Sequence, residues 1–418
     1  MTASSLQPLP LQAFATAKQQ LLEQCERRSS ITSVNLASAV SHILAESISA
    51  PIDVPGFANS AMDGYALRLA DLVENNQLKL IGYAFAGRPF NGQVETGECI
   101  RIMTGAALPK GCDCVIAQES TRAGGATQLH EMVEFLTIPE RSQNIRPAGH
   151  DIRKDQPLFQ AGRRLGAADI GLLSSLGIQQ VATYKPINIA VFSTGDELQQ
   201  PGATLNHGQI YDSNRSATIA LLSDCGFIVR DLGNLPDDRT EIRKTLLDVS
   251  QEVDAIITSG GVSVGDADYL PELLQSIGAL KLYKVAMRPG KPFAFGTINQ
   301  CYFFGLPGNP VSSLATLLLL ALPALRKIQG QSISEPNYFL ATLQTQLQSR
   351  TKRLDFQRAT LSTDKANHWQ ALPFANQLSG ALSSMSLCNG FIVIDPDVNE
   401  LAPGATVKAV LFDELIRG

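Results

Sequence analysis

Blocks of lysine and arginine are missing from this chain: 34 basic residues face 39 acidic ones, the net charge is −5, and no basic run stands out. That excludes the electrostatic footprint of a nucleic-acid binder. Any anionic ligand must therefore be held by a few placed cations. No apolar stretch reaches the roughly 20 residues that a bilayer requires, since the longest, Leu314 to Leu325, is about twelve residues and is interrupted by Pro323. It reads as a buried helix, so no membrane association is expected. The opening MTASSLQPLPLQAFATAKQQLLEQC has no basic segment followed by an unbroken apolar core, hence no visible secretory signal, and a cytoplasmic location is expected. Cysteines number only seven and are scattered. Their one close pair, Cys112 and Cys114, has neither CxxC spacing nor nearby histidines, which favours structural thiols over a zinc site. Neither GxGxxG nor a Walker loop occurs, and there is no low-complexity segment or repeat of solenoid period.

Core-forming material is plentiful by contrast. The 418 residues are 44% hydrophobic and 17% charged, ordinary for a soluble chain too long for one core. Helical periodicity in FATAKQQLLEQC and VNLASAVSHILAESI, and again in RRLGAADIGLLSSLGI, predicts a helical linker domain over 1–50 and 147–183. Short β-like runs broken by Gly, Pro and Asn predict a small β domain inserted at 51–146. From 184 to 330 strands alternate with helices, which predicts a doubly wound, mostly parallel α/β domain. Here Asp237 stands at one helix N-cap, and Asn309 with Pro310 opens a long helix. β texture returns over 331–418 as a C-terminal β barrel.

Ligands of open parallel sheets bind at the carboxyl ends of strands near a topological switch point. Two strands end alike, in Thr194-Gly195-Asp196-Glu197 and in Ser259-Gly260-Gly261-Val262-Ser263. Glycines admit a ligand to the backbone, and successive amides with Ser and Thr hydroxyls can hold phosphate, although Gly260-Gly261 also fits a plain tight turn. Glu197, Asp237, Asp266 and Asp268 follow strand ends. Carboxylates there would repel a phosphate unless a cation lay between, and hard oxygen donors without histidine suit Mg²⁺. Helix capping is the competing reading for Asp237 and Asp268. In YKVAMRPGKPFAFG, a type II turn at Arg288-Pro289-Gly290-Lys291 would hold two cations within about 7 Å, repelling by roughly 2 kcal/mol unless an anion intervened. Lys284 adds a third positive group, and the apolar flanks favour an oxyanion site over a solvated turn. Leu306-Pro307-Gly308-Asn309-Pro310 then leads into a helix N-terminus, where free amides favour an anion.

STGDEL, SGGVSVGDADY, RPGKPFAFG and GLPGNPVSS in this order resemble the molybdopterin molybdenumtransferases, the MoeA family that includes the gephyrin E domain. VPGFANSAMDGYAL, GECIRIMTGAALPKGCDCVI, IRPAGHDI, RLDFQRA and SGALSSMSLCNGFIVI extend the resemblance over nearly the whole chain. It implies an elongated four-domain homodimer whose cleft lies between the α/β domain of one subunit and the inserted β domain of the other. Implied substrates are adenylylated molybdopterin and molybdate, with Mg²⁺ as the divalent metal and AMP as the leaving product. Molybdopterin adenylyltransferase and apo-molybdoenzymes are implied as transient partners. Carried over by motif, the functional positions are Asp63, Thr104, Asp151, Glu197, Asp237, Asp268, Lys284, Arg288 and Lys291, with Pro307, Pro310, Arg353 and Ser383. The family's usual lysine is arginine at position 288, a planar fork in place of a compact ammonium. On this reading Asp268, Glu197 and Asp237 hold the metal, the glycine turns and Asn309 hold phosphates, and the three cations hold molybdate or the leaving phosphate. Two alternatives stand beside it: a nucleotide hydrolase sharing the α/β domain, and a scaffold of the gephyrin kind.

Overall fold

The computed structural model describes residues 11–122, 128–260, 270–349 and 352–417. Its centre is a seven-stranded sheet made of β1 (Leu11–Gln12), β2 (Asn188–Thr194), β3 (Ile228–Leu235), β4 (Ala255–Ser259), β5 (Ala279–Val285), β6 (Pro292–Ile298) and β7 (Cys301–Leu306), in the spatial order β1-β5-β6-β7-β4-β2-β3. β3, β2, β4 and β7 run parallel; β6 alone is antiparallel to its neighbours β5 and β7. Continuous apolar runs such as AIITS and CYFFGL are what strands covered on both faces require, and every residue of both is buried. Alternation along β2 divides its side chains between two cores. Ile189 and Val191 join one core with the N-terminal helix α1 (Phe14–Glu23) and the long helix that follows β7, whereas Ala190 and Phe192 join the other with Ile242 and Leu246.

Two helices of this layer matter below: α2 (Ser213–Asp224) between β2 and β3, and α3 (Arg239–Val249) between β3 and β4. The cap of α3 is Asp238 rather than Asp237; its carboxylate accepts from the amides of Thr240 and Glu241, each at 2.8 Å. Adjacent aspartates are equivalent by residue type, and the backbone angles of the turn decide between them. Asn309 and Pro310 do open the long helix, which runs over Pro310–Gln329 with a π segment at Leu317–Ala321. That helix is long and apolar enough to cross a membrane by length and composition, yet 83% of its apolar window is buried inside the fold.

One helical expectation fails. VNLASAVSHILAESI is not a helix: Ile31–Asn35 and Ile43–Leu44 are strands paired on either side of Gln180–Tyr184, with a short 3₁₀ turn at Leu36–Ser38. Its apolar residues pack against that strand and the helix Ala167–Ser175, and such tertiary pairing overrides a local period. Nor does the amino-terminal segment stay with the linker, since β1 and α1 belong to the α/β core. The inserted region forms a five-stranded sheet ordered Met132–Glu134, Gln77–Ala84, Glu98–Ile102, Gly64–Leu67, Cys114–Ala117. At the carboxyl end, Leu354–Thr363, Trp369–Pro373, Phe339–Leu343, Thr406–Leu411 and Gly390–Ile394 close into a barrel through the pairing of the first with the last.

Candidate active site at the sheet switch point

After β2 the chain passes through α2 to β3 on one side, then returns to β4 on the other. The crevice of an open sheet lies at such a reversal, here between the ends of β2 and β4, which carry Thr194-Gly195 and Ser259-Gly260. Gly195 has φ +139°, and a Cβ there would come within 2.5 Å of the Glu197 carboxylate. Only glycine lets the turn fold back beneath that acid. Gly260, at φ +99°, donates its amide to the Leu306 carbonyl at 3.1 Å, and a Cβ on Gly308 would lie 3.9 Å from the Gly260 Cα. Three strand-end loops thus meet at backbone contact distance. The Ser259 hydroxyl, at the end of β4, is buried and has no hydrogen-bond partner among the described residues. An unpaired buried hydroxyl is costly, so a polar ligand fits there. Gly261, Ser263 and Asp268, together with Asp266, lie outside the described residues.

The basic groups come from the far side of the same edge. Lys284 near the end of β5 stands opposite Pro292, the first residue of β6, and the Val285 amide donates to the Lys291 carbonyl at 2.9 Å. Lys284 is half-buried and Lys291 exposed, and neither meets a carboxylate among the described residues. The segment between them is a bend rather than the expected type II turn: the Arg288–Pro289 peptide is cis and Gly290 sits at φ +100°. A Cβ on Gly290 would lie 2.4 Å from Thr316 Oγ1, so glycine lets the bend rest on the long helix.

Arg288 differs from the two lysines. Its guanidinium lies 3.6 Å from the carboxylate of Asp355, which is 2% exposed and also accepts from Ser349 Oγ and Gln357 Nε2 at 2.9 Å each. Met287–Arg288 pairs as a strand with Leu354 and Asp355, and Arg353 donates to the Met287 carbonyl at 3.1 Å. Burial, and next the nearby Arg288, hold the Arg353 guanidinium below its usual range. Arg288 and Arg353 thereby join the barrel to the cationic bend. A second junction is the Val311 amide donating to the Ser379 carbonyl at 3.0 Å, which sets the loop before Ser383 beside the start of the long helix at Pro307, Gly308, Asn309 and Pro310. Ser383 is exposed; its neighbour Ser384 is structural, accepting from Arg358 Nε at 2.9 Å and donating to the Ala381 carbonyl at 2.7 Å.

Glu197 and Asp237 follow adjacent, register-paired strands, and carboxylates are the kind of oxygen donor that a divalent cation takes. Among the described residues no group of three acidic, histidine or cysteine side chains gathers closely enough to hold a metal. Along the edge the order is therefore cationic at β5 and β6, glycine-rich at β7 and β4, and acidic at β2 and β3. At the ordinary spacing of strands, roughly 14 Å separate the cationic β6 from the acidic β2.

In the inserted region Asp63 and Thr104, 41 residues apart, meet directly. The Thr104 amide and hydroxyl both donate to Asp63 Oδ1 at 2.7 Å, and these two bonds hold the Asp63 carboxyl below the usual range. Asp151 is exposed, its amide donating to the Val54 carbonyl at 3.0 Å. No hydrogen bond or ion pair between described residues joins 51–146 to 187–329. Sequence reasoning missed Asp355 and the turn Asp212–Arg215, whose Asn214 donates to the Gly308 carbonyl at 2.7 Å. Their signal is weak, because a short polar run ahead of a helix reads only as a cap. A cleft of about 120 Å³ lined by His42, Arg164, Phe227 and Arg326 lies by the amino ends of β2 and β3, away from all of these residues.

Three family descriptions match in succession: the MoeA N-terminal region (domain I and II) over 12–177, a probable molybdopterin binding domain over 190–327, and the MoeA C-terminal region (domain IV) over 341–412. The chain is 40% identical to a molybdopterin molybdenumtransferase of Haemophilus influenzae over 96% of its own length and 98% of that protein. It is 33% identical to a gephyrin of Dictyostelium discoideum over 94% of its length and 61% of that protein. A molybdopterin biosynthesis MoeA protein of Pyrococcus horikoshii OT3 superposes with a TM-score of 0.81 at 27% identity, covering 96% of this chain and all of that one. With the three regions in order and a full-length relative at this identity, the chain belongs to the MoeA family of molybdopterin molybdenumtransferases.

Proposed function

We propose that this protein is a molybdopterin molybdenumtransferase: it takes adenylylated molybdopterin and molybdate, releases AMP and inserts molybdenum, completing the molybdenum cofactor. The observation that carries the reading is the graded charge along one sheet edge, where lysines without a carboxylate partner among the described residues, glycine-rich turns and acids follow one another. A pterin bearing a pyrophosphate is anionic along much of its length and suits such a row. The turns at Gly195 and Gly260, the Ser259 hydroxyl and the amides at Gly308 and Asn309 receive phosphate oxygens. Lys284 and Lys291 grip molybdate or the departing phosphate, a preorganised electrostatic stabilisation of developing charge. Arg288, sharing its charge with Asp355, contributes chiefly by fixing the bend.

A divalent cation, Mg²⁺ in the first instance, would take Glu197 and Asp237 with Asp268 as oxygen ligands and would neutralise charge between those acids and the phosphate. Asp63, Thr104 and Asp151 complete the cleft of a second copy, making the working unit a homodimer. Seven unpaired thiols accord with a cytoplasmic setting. Burial pushes Cys25, Cys99, Cys112, Cys114 and Cys301 up to about 12 and leaves them unreactive.

Purified protein given adenylylated molybdopterin, Mg²⁺ and molybdate is expected to release AMP and to activate an apo-molybdoenzyme. AMP release without activation would reduce the chain to a hydrolase. Failure of both would end the catalytic reading in favour of a scaffold.

A further inference from the structure

The segment Ile210–Arg215 has no part in the motifs read from the sequence, yet it touches both sides of the crevice. On one side, Ile210 donates its amide to the carbonyl of Glu197 at 2.8 Å and Asp212 donates to that of Gln199 at 2.9 Å. The Asp212 carboxylate, 1% exposed, accepts from Ser193 Oγ at 2.5 Å, from Arg215 Nε at 2.8 Å and from the Arg215 amide at 3.1 Å. Arg215, itself 5% exposed, reaches on to Asp231 in β3. Three strands away from β3, the side-chain amide of Asn214 donates to the Gly308 carbonyl at 2.7 Å. One turn, anchored by the buried Asp212–Arg215 pair and its ion pair to the half-exposed Asp231, is thereby bonded to the loop bearing Glu197 and to the loop bearing Asn309.

This arrangement does more than cap a helix. Capping needs only the bond from Asp212 to the Arg215 amide. Asn214 gives nothing to α2, because its bond goes to a carbonyl in another loop. Around Gly308 that loop has little other restraint from side chains, for glycine has none and the flanking Pro307 and Pro310 have no amide to donate. Asn234 adds the matching restraint opposite, donating to the Gly195 carbonyl at 3.0 Å and to that of Leu198 at 3.3 Å.

We propose that the Asp212–Arg215 turn is a clamp that sets the width of the crevice, with Asn214 the positioning residue that holds the Gly308–Asn309 amides for a phosphate of the pterin substrate. The proposal rests on the function given above. It assigns Asn214 to substrate affinity, because a loosened loop must be ordered at the moment of binding. The chemical groups at the ends of β5 and β6 are untouched by it.

The test compares the full-length protein with Asn214→Ala and with the isosteric Asn214→Asp, which removes the donor. Two readouts are needed: backbone hydrogen exchange over Leu306–Ser313, and steady-state kinetics with adenylylated molybdopterin. Exchange at Gly308 and Asn309 should rise several-fold in both variants, with Tm lowered by no more than roughly 3 °C. KM should rise roughly tenfold while kcat stays within about twofold, the scale of one lost hydrogen bond. Asn214→Gln, which keeps a donor amide, should recover part of the KM. Unchanged exchange at Gly308 and Asn309 would overturn the clamp whatever the kinetics. Raised exchange with an unchanged KM would overturn the assignment of this loop to substrate. A wild-type protein that makes no cofactor while its variants still loosen the loop would sink the functional reading and leave the clamp standing.

Discussion

The α/β edge and the inserted sheet each gather residues expected to act together, but by different means. At the edge, topology does the gathering: strands that reverse order deliver Thr194, Ser259, Leu306 and the lysine-bearing ends to one line, and the buried Asp212–Arg215 pair lies behind them. In the inserted region one exposed carboxylate is held by one threonine, with no described contact to the α/β domain. The first region sets described residues from several strands along one line. The second is a fragment, and under the shared-cleft proposal a second copy would complete it.

Breaking the edge should have the largest effect. Lys291→Ala removes an exposed cation that meets no carboxylate among the described residues, so cofactor synthesis should fall on the order of 100-fold with Tm unchanged. Near-normal turnover would remove the cationic half from the chemistry. Next in size is a test of the fragment. Asp63→Ala should also abolish synthesis, yet an exchanged equimolar mixture of Asp63→Ala and Lys291→Ala should recover about a quarter of wild-type activity, because half of the dimers are hybrids with one intact cleft each. No recovery from demonstrated hybrid dimers would place both residues in one chain's site. Asp355→Ala strips Arg288 of its buried partner and takes one acceptor each from Ser349 and Gln357, the latter keeping its bond to the Gln348 carbonyl; it should cost about 1–3 kcal/mol in denaturant unfolding and weaken activity through the bend. The smallest effect is local. Thr104→Val deletes one of two bonds to Asp63, and the Asp63 carboxyl, followed by NMR titration, should move up toward its ordinary value. In the wild type Asp63 keeps its charge as pH falls past the usual carboxylate range and loses it only on reaching the depressed value, so the variant should lose that charge first. An unmoved titration would mean that the amide bond alone suffices.

The two regions also differ in how much the sequence disclosed. Glycine pairs after apolar runs, and Pro-Gly with flanking lysine or asparagine, are compact signals, so the turns at Gly195, Gly260 and Gly308 and the helix start at Asn309 could be read directly. Partnerships across long separations could not. Asp355 lies 67 residues from Arg288 by position (355 − 288), and nothing local marks the pair. Asp238 displaced Asp237 as a cap because two identical neighbours differ only in backbone angles. The 34–48 stretch carried a helical period that its strand partner Gln180–Tyr184, far along the chain, overrode.

Met287 and Arg288 pair onto the barrel strand Leu354–Thr363, while Val285 and Lys291 on either side of them lie at the end of the α/β sheet. This short tether joins the barrel to the sheet between two lysines. Anything that grips or tilts the barrel, whether a docking protein or a designed binder, would pull on that tether before it disturbed the sheet. Lys284 and Lys291 flank that tether, so their spacing is set by the barrel as well as by the sheet.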